Sequence, residues 1–320
     1  MKKTYNLYSL RARPQSGRVE KFLTRFTRSN NNSAVTIGIF DGVHKGHQKI
    51  LNKVLKEAWK NHLKSVVITF HPHPVKILKP GAKIPLLMSM DHRIRLINKM
   101  GVDKCLVVKF TRQFSKLGPE DFIKNILIDK LNMKVLVTGD NFLFGFKEKG
   151  NAGLLKNLSK LYNFKSYSIP ALKIDGDFVS STRIRLTVEK GDLKLASKLL
   201  GRPVTIFGTV VKGKALGRKL GFPTANIDPH HESIPPSGVY GVDVNLGEKL
   251  YRGILNISRH KVIEVHILDF NKKIYGESME VIFRQKIREE KKFKSLEALR
   301  KQIQLDIQNA NFTLLTLSKV

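Results

Sequence analysis

The stretch GIFDGVHKGHQKIL, residues 38–51, lies where a continuous apolar run gives way to a helical pattern. Upstream, AVTIGIF (34–40) reads as a strand buried on both faces and ending at Phe40. Downstream, HQKILNKVLKEAWKNH (47–62) sets Ile50, Leu51, Val54, Leu55 and Ala58 on one face of a helix that starts near Lys45. Gly38, Gly42 and Gly46 let the intervening backbone turn tightly and approach a ligand. The free N–H groups and positive dipole end of the helix then face the turn, which makes an anion site. His44 and His47 lie three apart, on one face of the first helical turn, where their N–H donors reach phosphate oxygens that gain charge during reaction. Two other readings compete. A zinc pair on a helix has histidines four apart and a third ligand, and no third ligand is obvious here. A pair of surface histidines leaves the glycine pattern unexplained.

SVVITF (65–70), CLVVKF (105–110) and KVLVTG (134–139) repeat the short apolar run. GPEDFIKNILIDKLN (118–132), with Pro119 at its start, is a further helix with Phe122, Ile126 and Leu127 on a stripe. Strand–helix alternation predicts a doubly wound α/β domain. Near residue 200 the pattern changes. KGDLKLASKLLGRP (190–203) reads as a helix ended by Gly201 and Pro203, and β-rich segments at short spacing follow, predicting an antiparallel barrel or sandwich. SLEALRKQIQLDIQNA (295–310), capped by Ser295, closes the chain as a helix. The expected division is 1–186, a linker helix over 187–202, and 203–320.

The 320 residues suit two domains. The N-terminus is charged without an apolar core, and no run is long enough to span a membrane, so the expectation is a cytoplasmic protein. The lone Cys105 lies in an apolar run and reads as a buried, reduced thiol. Lysine and arginine number 58 against 26 acidic residues, a formal +32. The charge is spread along the chain and no aromatic RNA-binding strand is visible, so a lysine-rich surface or anionic small substrates are favoured over nucleic acid.

Two further stretches carry chemistry. SSTRIR (180–185) sets hydroxyls and guanidiniums ahead of a helix, which are phosphate-binding tools. KGKALGRKLGFPTANI (212–227) sets Gly213, Gly217 and Gly221 before Pro223, Thr224 and Asn226. Such glycines allow a loop to close over phosphates, with hydroxyl and amide oxygens for a metal; by spacing alone a glycine-rich hairpin reads equally well. In KVIEVHILDF (261–270), Ile263, Val265 and Ile267 form one strand face, so Glu264 and His266 point to the other. A surface glutamate on a half-exposed strand is the plainer reading of Glu264.

GIFDGVHKGH resembles the HxGH motif of the nucleotidyltransferase superfamily, and the wording FDGVHKGHQ resembles one family in particular, the bacterial bifunctional riboflavin kinase/FAD synthetases. The resemblance covers nearly the whole chain beyond the first thirty or so residues. It implies a Rossmann-like nucleotidyltransferase domain followed by a β-barrel flavokinase domain. It implies that His44 and His47 bind ATP phosphates and stabilise departing pyrophosphate, with Gly38, Phe40, Asp41, Gly42 and Gly46 around the nucleotide and Ser181, Thr182 and Arg185 as a phosphate clamp. TFHPHP (69–74) resembles the family's flavin-side loop through His71 and Pro72, and TGDNFLFGFKEKGN (138–151) its adenylyltransferase segment through Asn141 and Phe142. GFPTAN (221–226) resembles the flavokinase signature, in which the threonine and asparagine bind Mg²⁺ and ATP. Glu264 matches the base towards the riboflavin 5′-hydroxyl, and IREEKKFKSLEAL (287–299) matches a segment before the closing helix through Arg288 and Phe293.

The implied activity is conversion of riboflavin to FMN and of FMN to FAD, with ATP as co-substrate and Mg²⁺ as cofactor. One departure stands out: the family's G-x-R-P-T loop is shortened here, since GILNISRHKVIEVH runs directly from Asn256 to Glu264. FAD synthesis alone, on a degraded kinase domain, is the resulting alternative. A basic RNA-associated protein that kept a nucleotide-binding fold is a third.

Overall fold

The apolar runs of the first half become adjacent strands of one sheet in the structure, a computed structural model that describes residues 7–10, 29, 31–82, 85–213, 217 and 220–310. Part of the glycine-rich segment (214–216 and 218–219) and the last ten positions of the expected second domain (311–320) lie outside the described residues. The chain forms two compact units, Met1–Ile84 with Met90–Ser181, and Pro85–Ser89 with Thr182–Val320.

In the first unit the strands are β1 (Leu7–Leu10), β2 (Ser33–Ile37), β3 (Lys64–His71), β4 (Lys104–Lys109), β5 (Met133–Gly139) and β6 (Lys165–Ile169). Their order is β1-β4-β3-β2-β5-β6; β2 to β6 are parallel and β1 runs antiparallel on the edge. Helix α1 (Lys45–Lys60) covers one face, with Val54 and Ala58 against Ala34, Val135 and Val137. The other face, Val35, Ile37, Val66, Ile68 and Leu136, is covered by a helical stretch and by α5. The stretch begins as α4 (Pro119–Asp121) and continues as a π-helix over Phe122–Ile128; α5 is Ala152–Leu161. Burial on both faces is why these strands read as unbroken apolar runs. Truncating fully buried Leu136 to alanine costs about 2–5 kcal/mol. Helices α2 (Pro74–Leu78) and α3 (Met90–Lys99) lie between β3 and β4 in the chain.

Two local readings change. Strand β2 ends at Ile37, not at Phe40. Gly38 keeps one bond to β3, its N–H donating to Ile68 O at 3.0 Å, and the chain then leaves the sheet because Phe40 turns to φ 53°. The stretch around 187–202 is not one helix: α6 (Ser181–Glu189) and α7 (Leu193–Leu200) are separated at Gly191, with φ 83°, and Asp192 caps α7 by accepting from Leu195 N–H at 2.9 Å. A short hairpin, β7 (Lys173–Ile174) and β8 (Asp177–Phe178), precedes α6.

In the second unit β9 (Thr205–Val211), β10 (Ala225–Asp228), β11 (Gly238–Leu246), β12 (Lys249–Ile257), β13 (Ile263–Ile267) and β14 (Ser278–Arg288) close into an antiparallel barrel in the order β10-β13-β12-β11-β14-β9. Val242, Val244, Leu255, Val265, Met279 and Val281 are fully buried. Closure leaves no sheet edge exposed. Helix α8 (Leu296–Asn309) starts where Ser295 Oγ accepts from Ala298 N–H at 3.2 Å, and packs Ile307 near Val239 and Ile254. Arg202, just past α7, is half-buried; desolvation pulls its pKa down to about 10, and the buried carboxylates of Glu280 and Glu232 oppose the shift. Glu232 also accepts from the Ser89 and Phe207 N–H groups, at 2.8 and 3.0 Å.

Candidate active sites

The sheet order brings three sequence-predicted segments to one edge. Strand β2 lies between β3 and β5, all three parallel, so their carboxyl ends open on the same side. His71 ends β3 and Pro72 follows it; the turn 38–44 follows β2; Asn141 and Phe142 follow β5. After β2 the chain winds outward through β3 and β4, then returns to the other side at β5. That reversal is the topological switch point where open α/β sheets bind ligands.

The turn itself is strained and tightly held. Phe40 and Val43 have φ of 53° and 39°, and Gly42 has φ 85°. Left-handed backbone at the two non-glycine positions costs on the order of 1–3 kcal/mol each. Burial of both side chains offsets this, with Phe40 1% and Val43 2% exposed. Gly46 lies close to the His44 ring: a Cβ there would stand 3.1 Å from it, tighter than an ordinary contact.

The sequence set both histidines on the first helical turn. The structure makes His44 the N-cap instead: its backbone is extended and its Nδ1 accepts from His47 N–H at 3.3 Å. An imidazole accepting at Nδ1 carries its proton, when neutral, on Nε2. The two rings stack at 3.6 Å between centroids and 17° between planes, and Phe40 meets His47 edge-on at 5.2 Å. His47 Nδ1 is buried without a hydrogen-bond partner among the described residues. Burial, then His44 and Arg93, hold the His47 pKa well below its ordinary value. Such a group, beside the N–H groups of a helix with no acidic residue in its first turn, is equipped to meet an anion.

Asp41 is buried and pairs with Arg93 of α3 at 3.5 Å, while its carbonyl accepts from Ser181 Oγ at 2.8 Å. Sequence reading missed Arg93. Its signal was an arginine spaced with Leu96 and Ile97 on the buried stripe of α3. Thr182 and Arg185 continue α6 after Ser181, the first exposed and the second half-buried. Asn141 is exposed; Phe142 stacks on Phe144 at 5.3 Å and lines a cavity of about 220 Å³ with Thr138, Lys156, Ser159, Ser166 and Ser168.

In the barrel, register places the chemistry. Glu264 of β13 lies directly opposite Asn226 of β10 on one side and Asn256 of β12 on the other. Ile263, Val265 and Ile267 are buried and Glu264 is half-buried, as the alternation predicted. Directly opposed residues stand about 4.5–5.5 Å apart between Cβ atoms. Strand β10 itself was not read from sequence, since GFPTAN looked like loop. The glycines crowd this strand: a Cβ at Gly213 would run into the Asn226 amide, and one at Gly217 into the Phe222 carbonyl and within 3.1 Å of Thr224 Oγ1. Gly221 has φ 87°. His266 Nδ1 donates to Pro223 O at 2.8 Å and so pins the start of this segment. Thr224 and Pro223 line a cavity of about 280 Å³ with Phe270, Lys272, Lys273 and Tyr275.

Thr224, Asn226 and Glu264 offer hydroxyl, amide and carboxylate oxygens, a donor set that suits a hard divalent cation. Among the described residues no cluster of three or more His, Cys, Asp or Glu gathers. The link from Asn256 to Glu264 is a tight turn, with Lys261 N–H donating to Ser258 O at 2.8 Å. Arg288, matched to a flavin contact, has its guanidinium on Asp306 at 2.7 Å, tying β14 to α8, and lies 5.7 Å from the Phe293 ring. Cys105 is buried, which pushes its thiol up to about 12.

Two family models match the chain in succession. Residues 26–183 match the family model for FAD synthetase, and residues 200–314 that for riboflavin kinase. The bifunctional riboflavin kinase/FMN adenylyltransferase of Buchnera aphidicola subsp. Schizaphis graminum is 42% identical over 87% of this chain and 93% of its own. That of Escherichia coli K12 is 38% identical over 85% and 90%. A crystal structure from Streptococcus pneumoniae, described as a macrolide-efflux protein, aligns with TM-score 0.75 and 34% identity over 88% of this chain and 94% of that one. Among the described residues of this chain, no helix is long and apolar enough to cross a membrane. By these matches over most of its length, the chain belongs to the bifunctional riboflavin kinase/FMN adenylyltransferase family.

Proposed function

We propose that this protein makes FAD from riboflavin in two ATP-consuming steps, one on each unit, with residues 1–186 as the adenylyltransferase part, 187–202 as the link and 203–320 as the kinase part. The observation that carries the reading is a histidine-capped helix at a switch point in one unit together with an Asn226–Glu264 pair in the barrel of the other.

In the barrel, the riboflavin 5′-hydroxyl attacks the γ-phosphorus of ATP, the bond to the β-bridging oxygen breaks, and ADP leaves. Glu264 orients the hydroxyl and takes its proton late, which suits a loose phosphoryl-transfer transition state. Thr224 and Asn226 would hold Mg²⁺, which would supply charge to offset that on the transferring phosphates. Gly213, Gly217, Gly221 and Pro223 shape the loop over the phosphates, and Phe293 covers the flavin beside Arg288. The tight 258–262 turn leaves Glu264 in register with Asn226, which supports a working kinase over a degraded one.

At the first site, an FMN phosphate oxygen attacks the α-phosphorus of ATP and pyrophosphate leaves. No covalent enzyme intermediate is needed, because the work is positioning and charge stabilisation. His44, His47 and the α1 N–H groups receive the phosphates; Gly38, Phe40, Asp41, Gly42 and Gly46 form the turn that presents them. Ser181, Thr182 and Arg185 clamp the nucleotide, and His71, Pro72, Asn141 and Phe142 face the flavin. Burial keeps His47 neutral in the empty site, and an arriving triphosphate favours its cationic donor form. The cytoplasm, where ATP is made and spent, is the location this chemistry suits.

The test separates the sites. Glu264→Gln is expected to block FMN formation from riboflavin while FAD still forms from supplied FMN. Loss of both activities would assign Glu264 a structural role instead.

A further inference from the structure

The turn at residues 38–44 combines an anion site with an acidic side chain, which is an electrostatic conflict. Asp41 lies three positions before His44, and a bare carboxylate there opposes a triphosphate. The structure resolves the conflict from a distant part of the chain. Arg93, on α3, donates from Nη2 to Asp41 Oδ1 at 3.5 Å, and the two side chains are only 2% and 4% exposed. A guanidinium keeps its charge at every working pH, so this compensation does not titrate away. Asp41 also sits between Phe40 and Val43, the two non-glycine residues of the turn with positive φ, so a contact that fixes Asp41 bears on the strained turn.

We propose that Arg93 is a positioning residue for adenylyl transfer: by pairing with Asp41 it holds the 38–44 turn in its ligand-presenting shape and cancels a carboxylate that would repel ATP. It acts through Asp41 rather than on the reacting atoms. The proposal rests on assigning the His44–His47 site to FMN adenylylation. Its loss therefore weakens ATP binding more than it slows the chemical step.

The experiment is steady-state FAD formation from FMN at varied ATP, using the full chain as wild type, Arg93→Lys, Arg93→Met, Asp41→Asn and the Arg93→Met/Asp41→Asn double variant. FMN formation from riboflavin in the same preparations reports folding, because Arg93 has no part in the barrel site. Arg93→Met is expected to raise the KM for ATP about tenfold or more with a smaller fall in kcat. Arg93→Lys, which keeps the charge, recovers most of that loss. The double variant is expected to bind ATP better than Arg93→Met alone, because removing the carboxylate that Arg93 offsets makes the two changes non-additive. An unchanged KM for ATP in Arg93→Met, or no recovery in the double variant, overturns the proposal. Where Arg93→Met does not fold, Arg93→Gln, which keeps a hydrogen-bond donor without the charge, takes its place: a KM for ATP raised more than about threefold supports the role and a smaller change overturns it. Absence of FAD from the wild type would instead overturn the adenylylation reading beneath it.

Discussion

The imidazoles of His44 and His47 lie 3.6 Å apart and nearly parallel, with His44 Nδ1 accepting the His47 backbone N–H. Two such rings repel each other when both are charged, and after burial this repulsion is the next force that lowers the His47 pKa. The stack also crowds Gly46, where an added Cβ would press to 3.1 Å from the His44 ring.

Removing one partner of this stack should be felt in one activity only. His47→Ala is expected to lower FAD formation from FMN by about 10²–10³-fold, the usual cost of a lost preorganised donor. FMN formation from riboflavin should stay at the wild-type rate. FAD made at an unchanged rate would remove His47 from the site.

The depressed pKa of His47 predicts a pH signature in stability. Burial, then His44 and Arg93, hold it well below the ordinary 6.5, so below that pH the unfolded chain takes up a proton that the folded chain refuses. The contribution is whole above about 6.5 and is lost as the pH falls through the lowered folded value. Thermal melts of wild type and His47→Gln at about pH 7.5 and pH 5.5 check this. The variant should lose less stability on acidification; equal losses would place the proton uptake elsewhere.

The glycine packing over β10 makes a prediction for the other unit. A Cβ at Gly213 meets the Asn226 amide, and Asn226 stands opposite Glu264. Gly213→Ala should displace Asn226 and reduce FMN formation by about 10²-fold, the scale of an ångström-sized misplacement. FAD formation from supplied FMN should be untouched. Full FMN formation by this variant would mean that Asn226 does not set the geometry.

Much of this arrangement was legible in residues. The runs at 65–70, 105–110 and 134–139 announced parallel strands because burial on both faces leaves no room for polar alternation. Ile263, Val265 and Ile267 put Glu264 on the opposite face because strands alternate. What stayed hidden depended on distant pairing. Strand β10 looked like loop because its four residues become a strand only by lying between β9 and β13. The early end of β2 follows from positive φ at Phe40, which local apolarity conceals. The role of His44 as a cap, not a helical residue, turns on one side-chain hydrogen bond. Arg93 and Arg202 are cations whose partners lie far along the chain, and spacing alone does not reveal them.

The most direct test of the central claim is to separate the products made by purified protein from ATP and Mg²⁺ with riboflavin in one tube and FMN in another. The account predicts FAD in both tubes, with FMN as the intermediate in the first. FAD only from FMN would contradict the kinase half and show that the 258–262 turn cannot replace the longer loop. No FAD from either would contradict the account as a whole.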